Sequence, residues 1–213
     1  RAGCAVDSSS PGAAYCRGRG LRVMPSLEEV LQTPGLEVVV NPTPIHLHES
    51  ITSQCLHAGV QVWLEKPAVP TVQAYDRLVG EVSRHGRAIP VCFNALFAHQ
   101  VQNLKAELVA GKYGRIQRIK GIGAWKRTRS YFTRNDWAGR VMREGQWVLD
   151  GSLNNALAHF LCQNLFFGGP TQQGLADLEQ VTGEVYRCNL IEGDDLSCSR
   201  ILTRQGFEVL TYT

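Results

Sequence analysis

The hydrophobic positions in the first half of the chain form short runs separated by stretches long enough for a helix. The runs at 21–24, 36–40, 60–64 and 88–93 predict strands. Ser26 and Thr71 are expected to cap the starts of helices, and Gly59 and Gly86 are expected to end them. Strands that alternate with helices favour an α/β fold with a parallel sheet covered on both faces, as in a Rossmann dinucleotide-binding domain.

The second half has a different pattern, in which strands follow one another. Helices are predicted at 99–110 and 154–166, with a strand-like run at 115–125 between them. Three further β segments follow at 183–190, 196–203 and 206–212. This order favours an α+β domain with an open, mostly antiparallel sheet. We therefore predict a dinucleotide-binding domain over residues 1–94 and a substrate or oligomerisation domain over residues 95–213.

Both ends of the sequence fall inside predicted elements, so the chain is expected to be a fragment with both domains incomplete. Asp7 stands at the end of what is expected to be the second Rossmann strand, and no G-x-G-x-x-G turn precedes it. The first strand and its phosphate-binding turn are therefore expected to be missing. Because that strand lies at the centre of a Rossmann sheet, its loss would split the sheet.

Composition narrows the class of protein. The 213 residues are 44% hydrophobic and 19% charged, which is typical of a globular protein, and the net charge of +3 favours neither a nucleic-acid nor a membrane partner. No apolar run approaches the roughly 18 residues of a membrane helix. Seven cysteines without a C-x-x-C pair make a disulfide framework or a zinc site unexpected, and favour a reducing, cytoplasmic location.

Lys66 is the strongest candidate for chemistry. The apolar run 59–64 ends abruptly in Glu65, Lys66 and Pro67, so Lys66 is expected at the carboxyl end of a buried strand, where α/β sheets bind ligands. A lysine in a partly desolvated cleft has a lowered pKa and can exchange a proton with an alcohol. The alternative is a surface lysine in a salt bridge with Glu65.

An ordered set of residues resembles a known family. Pro42-Thr43-Pro44, His46 and His48, Ala58-Gly59, Glu65-Lys66-Pro67 and Phe93-Asn94 occur in the order found in the oxidoreductase family of glucose-fructose oxidoreductase and inositol dehydrogenase. The resemblance implies NAD or NADP as cofactor and a sugar, polyol or sugar-derived acid as substrate. It also implies that the second domain contributes to a homo-oligomer. Lys66 would lie beside the nicotinamide as the proton-transfer residue.

The resemblance assigns further residues to the cofactor. Asp7 would bind the adenosine ribose and repel a 2′-phosphate, so NAD is favoured over NADP, although Ser8 to Ser10 and Arg17 could soften that preference. The alternative for Asp7 is a turn or N-cap aspartate. Because His46 and His48 are one residue apart at a helix start, they cannot share a helical face, and no metal site is expected. His48 taken alone is a surface histidine. The expected cofactor contacts are Asp7, Thr43, Pro44, His46, His48, Glu65, Lys66 and Asn94.

On the substrate side the chain departs from the family pattern. An aspartate and a histidine four residues apart on a helix are expected; Asp150 is present, but Asn154 stands at the histidine position. An asparagine cannot take up a proton, so Lys66 would act alone or with His159. On an unbroken helix His159 would lie about 180° from Asp150, and its alternative role is a packed histidine. Asp150 and His159 join Lys66 as catalytic candidates, and Asn154 and Asn155 are assigned to the substrate.

Residues 126–137 interleave basic and aromatic side chains. In the family this stretch enters the substrate cleft, so Arg127, Tyr131 and Trp137 are expected to contact substrate. A solvated loop and a nucleic-acid surface are the alternatives, and the second is disfavoured by the small net charge. The leading functional prediction is therefore an NAD(P)-dependent oxidoreductase. The alternative is a non-catalytic or truncated binding protein of the same fold.

Overall fold

The computed structural model of the protein describes residues 3–213, and its first half contains two pairs of parallel strands. Strand β1 (Cys4–Ala5) pairs with β2 (Arg22–Val23), and β3 (Val38–Asn41) pairs with β4 (Gln61–Leu64). The two pairs share no ladder within residues 3–213. This agrees with the expectation of a split Rossmann sheet.

Among the described residues, the first half contains four α-helices, two of which begin at the predicted capping residues Ser26 and Thr71. They are α1 (Ser10–Gly18), α2 (Leu27–Leu31), α3 (His48–His57) and α4 (Val72–His85). Ser26 Oγ accepts a hydrogen bond from the Glu29 amide, and Thr71 Oγ1 accepts one from the Ala74 amide. Gly86 ends α4 with a φ of 61°, a conformation that favours glycine.

The predicted strand at 88–93 is wrong in extent. Only a single parallel bridge forms, between Leu64 and Val91. The Leu64 amide donates to the Pro90 carbonyl and the Cys92 amide donates to the Leu64 carbonyl. Pro90 has no amide hydrogen to extend a ladder, which limits pairing at this edge.

The second half is built on one four-stranded sheet. Its helices are α5 (His99–Val109), the short α6 (Arg129–Phe132) and α7 (Ala158–Gly168). The sheet has the order β5 (Arg118–Ile122), β10 (Glu208–Tyr212), β9 (Leu196–Thr203), β8 (Leu178–Tyr186). Only β5 and β10 are parallel, so the prediction of an open, mostly antiparallel sheet is confirmed. A small hairpin of β6 (Met142–Arg143) and β7 (Gln146–Trp147) lies apart from it.

Two elements of the second half differ from their predictions. The strand expected at 183–190 lies instead at Leu178–Tyr186. The helix expected at 154–166 is divided into a π-helical turn, Ser152–Ala156, and helix α7. The turn contains the i→i+5 hydrogen bond from the Leu157 amide to the Ser152 carbonyl, which inserts one residue relative to an α-helix.

Each half has its own hydrophobic core. One core surrounds Val62 and Leu64 of β4, packed against Cys55 of α3 and Leu78 of α4. The other joins Ile201, Phe207 and Val209 to side chains of α7. Two cores support a division near Ala95, which remains a prediction. Among residues 3–213 no helix combines the length and apolar character needed to cross a membrane.

Candidate active site

Lys66 lies where the two halves of the chain meet. It follows β4 directly, and its side chain reaches across to the π-helical turn of the second half. Lys66 Nζ donates to the backbone carbonyl oxygen of Asn155 at 2.8 Å and to Asn155 Oδ1 at 3.0 Å. The Lys66–Pro67 peptide bond is cis. These contacts fix the amine at the carboxyl end of β4, where sheets of this type bind ligands.

Asn155 connects Lys66 to a buried carboxylate. Asn155 Nδ2 donates to Asp150 Oδ1 at 2.6 Å, and Asp150 Oδ2 accepts from the Gly139 amide at 2.6 Å. Asp150 is only 5% exposed. The result is a continuous polar chain from the Gly139 amide through Asp150 and Asn155 to the amine of Lys66.

The structure places the side chain of Asn154 away from Lys66, and its expected contact with substrate stays a prediction. Asn154 Nδ2 donates to the Leu149 carbonyl oxygen at 2.9 Å, and its side chain is engaged there rather than with Lys66. The π-helical turn explains the difference, because one additional residue per turn moves the position above Asp150 from i+4 to i+5. Asn155, already assigned to the substrate, therefore occupies the position that the spacing gave to Asn154.

The environment of Lys66 lowers its pKa below the usual value of a lysine. Burial lowers the pKa of Lys66, and the nearby Arg127 guanidinium lowers it further, while the carboxylates of Glu65 and Asp150 oppose the shift. Glu65 Oε2 accepts from the backbone amide of Lys66 at 3.1 Å, in place of the side-chain salt bridge that the alternative interpretation required. A lysine in this state can exchange a proton with a hydroxyl group.

His159 lies near Lys66 but forms no hydrogen bond with Asp150. Burial lowers the pKa of His159, and the positive charge of Lys66 lowers it further. Its ring packs edge-on against Phe93 with centroids 5.8 Å apart. Within the described residues, His159 Nδ1 is buried and has no hydrogen-bond partner. His159 therefore lies within electrostatic range of Lys66.

His48 is a buried residue, and its interpretation as a surface histidine is wrong. It is 1% exposed, and its Nε2 lies 2.8 Å from the Thr43 carbonyl oxygen. Its Nδ1 lies 2.9 Å from the Pro67 carbonyl oxygen and 3.2 Å from that of Ala68. Both ring nitrogens are thus engaged with backbone. His48 ties the segment after β3 to the segment after Lys66, and so positions the lysine.

His46 forms a second contact between the halves. Arg143 Nη1 donates to His46 Nε2 at 3.2 Å, and Arg143 also pairs with Asp136 at 2.6 Å. Burial lowers the pKa of His46, and Arg143 lowers it further. Arg143 was not expected from the sequence, since a basic residue in a hairpin carries no local signal of a partner 97 positions away.

The cofactor candidates lie at the ends of β1 and β3. Asp7 is exposed, and its Oδ1 accepts from the Ser9 amide at 2.8 Å and from Ser9 Oγ at 2.7 Å, which lowers the pKa of Asp7. The N-cap of α1 is Ser9, so Asp7 is the turn residue of the alternative interpretation. An added Cβ at Gly12 would lie 1.9 Å from Asp7 Oδ2, so glycine leaves room for that oxygen.

Thr43 and Asn94 lie at the ends of neighbouring segments. Thr43 Oγ1 donates to Asn41 Oδ1 at 2.7 Å, and Pro44 precedes the 3₁₀ turn Ile45–Leu47 that leads into α3. Asn94 is exposed and opens the 3₁₀ turn Asn94–Phe97. Asn94 is therefore accessible near the end of the sheet that carries Lys66, whereas Thr43 and Pro44 are half-buried there.

Cations and aromatic rings alternate beside the polar chain. The Arg127 guanidinium lies 4.4 Å from the ring centre of Tyr131, and the Arg134 guanidinium lies 3.7 Å from the same ring and 5.2 Å from that of Trp137. Arg127 Nε is buried and has no hydrogen-bond partner among residues 3–213. Trp137 therefore belongs to the same stack as Tyr131.

A pocket of about 50 Å³ opens between this stack and the π-helical turn. It contacts Arg127, Tyr131 and Asp150 of the predicted set, and the other lining residues were not expected from the sequence. These are Gly123, Trp125, Phe132, Gly151, Ser152, Ala156, Leu157, Asp195 and Thr213. They come from four separate segments, so no local motif marks them.

Asp194 holds the π-helical turn in place and was also missed. Its Oδ2 accepts from the Ser152 amide at 2.9 Å and from Ser152 Oγ at 2.8 Å. An added Cβ at Gly151 would lie 2.2 Å from Asp194 Oδ1. The sequence marks Asp194 only as part of a polar turn, because its partner is 42 residues away.

Comparison with known proteins agrees with this geometry. Residues 2–93 match the family described as the oxidoreductase family with an NAD-binding Rossmann fold. The match covers less than half of the 213 residues, so it is the first part of the chain that is similar to this oxidoreductase family. The resemblance stated from the sequence is confirmed.

Curated relatives that match this chain include two inositol dehydrogenases. The inositol 2-dehydrogenase of Renibacterium salmoninarum is 34% identical over 102 residues, which cover 47% of this chain and 31% of that protein. The scyllo-inositol 2-dehydrogenase (NADP(+)) of Bacillus subtilis is 26% identical over 149 residues, covering 70% of this chain and 39% of that protein. The chain thus spans about a third of each relative's length.

Solved structures share the fold of both halves. The WlbA dehydrogenase from Bordetella pertussis, in complex with NADH and UDP-GlcNAcA, has a TM-score of 0.86 and 21% identity, covering 98% of this chain and 57% of that one. GenD2 from gentamicin A biosynthesis, in complex with NAD, has a TM-score of 0.80 and 19% identity, covering 100% and 58%. At these identities the likeness concerns the fold.

Proposed function

We propose that the protein is an NAD(P)-dependent oxidoreductase that moves a hydride between a nicotinamide and a sugar, polyol or sugar-derived acid. The observation that carries the proposal is the amine of Lys66. It lies at the carboxyl end of β4, is held by Asn155, and has a pKa lowered by burial. The similarity of residues 2–93 to an NAD-binding oxidoreductase family supports the cofactor, and relatives named as inositol dehydrogenases support the substrate class.

The residues on the cofactor side fit a dinucleotide. Asp7 is an exposed carboxylate beside Gly12, which suits the hydroxyl groups of an adenosine ribose and disfavours a 2′-phosphate. We therefore infer that NAD is preferred over NADP. The rest of the dinucleotide would be contacted by Thr43, Pro44 and Asn94. Glu65 and His46 would lie beside these residues. His48 would act through the backbone, because its ring nitrogens are already engaged.

Lys66 would carry the proton in both directions. A bound nicotinamide would supply or accept the hydride at the carbon that bears the hydroxyl group. Neutral Lys66 Nζ takes the hydroxyl proton during oxidation and, as the ammonium, returns it to the oxygen during reduction. The amine of Lys66 has three hydrogen-bonding positions. Two of them face Asn155, so the third is available to the substrate.

The remaining residues orient the substrate and the lysine. Asp150 holds Asn155 through its buried oxygen, and Asn155 cannot itself take up a proton. Arg127 and Tyr131 line the pocket beside Asp150, where they can donate hydrogen bonds to hydroxyl or carboxylate oxygens. Trp137 would shape the same region through its contact with Arg134. His159 would exert an electrostatic effect on Lys66.

A homo-oligomer is also proposed. Strand β8 is the edge of the open sheet, and all nine of its residues are exposed. Its apolar side chains include Val181 and Val185, which are 58% and 68% exposed. A second sheet from another copy would cover them, and sedimentation of the full chain would show the resulting mass.

The decisive experiment separates binding from turnover. NADH binding is followed by fluorescence, and turnover is measured with NAD and a panel of myo-inositol, scyllo-inositol and a UDP-linked sugar acid. Lys66→Ala should lower turnover by about 10²–10⁴-fold with NADH affinity nearly unchanged. Lys112→Ala, which removes an exposed lysine paired with Glu107, is the matched control. Normal turnover in Lys66→Ala would contradict the assigned role.

A non-catalytic binding protein is the second candidate, and Asn155 favours it. The group that contacts Lys66 is an amide, so the proton carrier that the family places beside the lysine is absent from this position. In a single-turnover experiment, bound NADH that is never oxidised by the keto forms of the panel would support this candidate. Oxidation with any member would reject it.

A further inference from the structure

Helices α3 and α4 bring two histidines and a glutamate together on the outside of the first half. His57 ends α3, while Glu81 and His85 are four residues apart on α4 and so share one face. Their candidate ligand atoms all lie within 4.8 Å of one another. We propose that these three side chains bind a divalent transition metal, Zn²⁺ above all, with water as the fourth ligand.

The spacing of the three groups fits a metal better than direct hydrogen bonding. Glu81 Oε2 lies 3.6 Å from His57 Nε2 and 3.6 Å from His85 Nε2. These separations are too long for a hydrogen bond. Tetrahedral zinc with bonds of about 2.0–2.1 Å holds its ligand atoms about 3.4 Å apart. Each imidazole therefore already lies near the separation from the carboxylate that a shared ion requires, and the two imidazole nitrogens lie within 4.8 Å of each other.

One oxygen of the Glu81 carboxylate is open to an additional ligand. Glu81 Oε1 pairs with Arg84, whereas Glu81 Oε2 is buried and makes no hydrogen bond within residues 3–213. A buried carboxylate oxygen without a partner costs free energy, and an ion between it and the two histidines would satisfy it. The unpartnered oxygen is thus an observation separate from the spacing.

The histidine nearest the solvent is set for coordination. His57 Nδ1 lies 2.8 Å from the Ser53 carbonyl oxygen, so this nitrogen carries the hydrogen and Nε2 carries the lone pair. Such a bond from the second ring nitrogen to a carbonyl is the usual support of a metal-binding histidine. The His57 side chain is 62% exposed, which leaves space for a water molecule.

The proposed site stabilises the fold and is separate from the chemistry at Lys66. His57 and His85 stand at the carboxyl ends of helices that run antiparallel to β4, so they lie at the opposite edge of the sheet from Lys66. A metal here would join α3 to α4 in addition to the Arg77–Glu49 ion pair and the shared core. The sequence did not predict this site, because His57, Glu81 and His85 share no local motif. The two metal signals considered there were the cysteine spacing and the His46–His48 pair.

The test is a titration of the untagged full chain with Zn²⁺, with Mg²⁺ in parallel. We expect one Zn²⁺ per chain and a higher melting temperature with Zn²⁺ but not with Mg²⁺. His57→Ala and His85→Ala should each weaken Zn²⁺ binding by more than about 100-fold, and Glu81→Gln should also weaken it. His99→Ala, which removes another exposed histidine, is the control and should leave the affinity unchanged.

Cobalt distinguishes this site from binding to cysteine. Co²⁺ in the wild-type chain should give the visible absorption of a tetrahedral nitrogen and oxygen site, without a near-ultraviolet thiolate band. A thiolate band, or Zn²⁺ binding that survives in both histidine variants, would overturn the proposal. So would an absence of Zn²⁺ binding to the wild-type chain. Because these readouts use wild-type protein, a variant that fails to fold leaves the proposal testable.

Discussion

Replacing Asp150 by asparagine should disturb Lys66 through the amide of Asn155. Asp150 accepts two hydrogen bonds of 2.6 Å, from Gly139 and from Asn155, and is 5% exposed. An asparagine can accept only one of them at Oδ1, and its own amino group must face the other donor. If the Asn155 amide turns over to accept from that amino group, its nitrogen then faces Lys66 Nζ.

The magnitude follows from one lost charge-assisted bond and one displaced contact. One buried donor loses its acceptor, which costs about 1–3 kcal/mol of unfolding free energy. Lys66 also loses the carboxylate that raises its pKa, so the pKa of Lys66 should fall further below its usual value. The stability loss and the pKa change have a common cause but separate readouts.

Both readouts are available without a known substrate. Urea unfolding gives the stability, and competitive labelling of lysines with acetic anhydride across pH, read by mass spectrometry, gives the pKa of Lys66. Asp76→Asn, at an exposed position on α4, is the control and should change neither. An unchanged or raised Lys66 pKa in folded Asp150→Asn would refute the polar chain that we describe.

Two further predictions concern other parts of the molecule. Lys105 is fully buried against three carbonyl groups, and burial lowers its pKa from 10.5 to about 8. Between pH 8 and 10.5 the unfolded chain therefore binds more protons than the folded chain, so the free energy of unfolding should rise with pH by up to about 3 kcal/mol. Urea unfolding of the wild-type chain and of Lys105→Met across this pH range measures the rise. Gly12→Ala should displace Asp7 and weaken NADH binding about fivefold by fluorescence titration, the equivalent of one hydrogen bond of about 1 kcal/mol. Gly18→Ala, with no atom within 4 Å of the added Cβ, should bind NADH normally, and equal affinities in the two variants would contradict this role of Asp7.

Local signals predicted the elements whose ends depend on neighbouring residues. Ser26, Thr71 and Gly86 cap their helices as expected, because each acts on a backbone group within a few positions. The position of Lys66 at a strand's end was predictable for the same reason. A run of apolar residues that stops at a charged pair marks both the strand and its ligand-binding edge.

Residues whose roles depend on distant partners were not predictable. His48 is buried because carbonyl groups 19 and 20 positions later accept its contacts, which a sequence window around a helix start does not contain. Arg143 and Asp194 act across 97 and 42 positions. Pro90 is a different case, because its effect is local. It has no amide hydrogen to donate, and only a single bridge forms where the apolar pattern predicted a strand.

The spacing at Asp150 shows why a motif cannot be transferred by counting residues alone. On an α-helix the partner of Asp150 would be Asn154, yet the π-helical turn makes it Asn155. The turn is fixed by tertiary contacts, because Asp194 holds Ser152 and leaves no space for a side chain at position 151, while Leu149 adopts a φ of 49°. Asn155 therefore sets the orientation of Lys66. Because an amide does not take up a proton, any proton relay beyond the lysine must use a group other than Asn155.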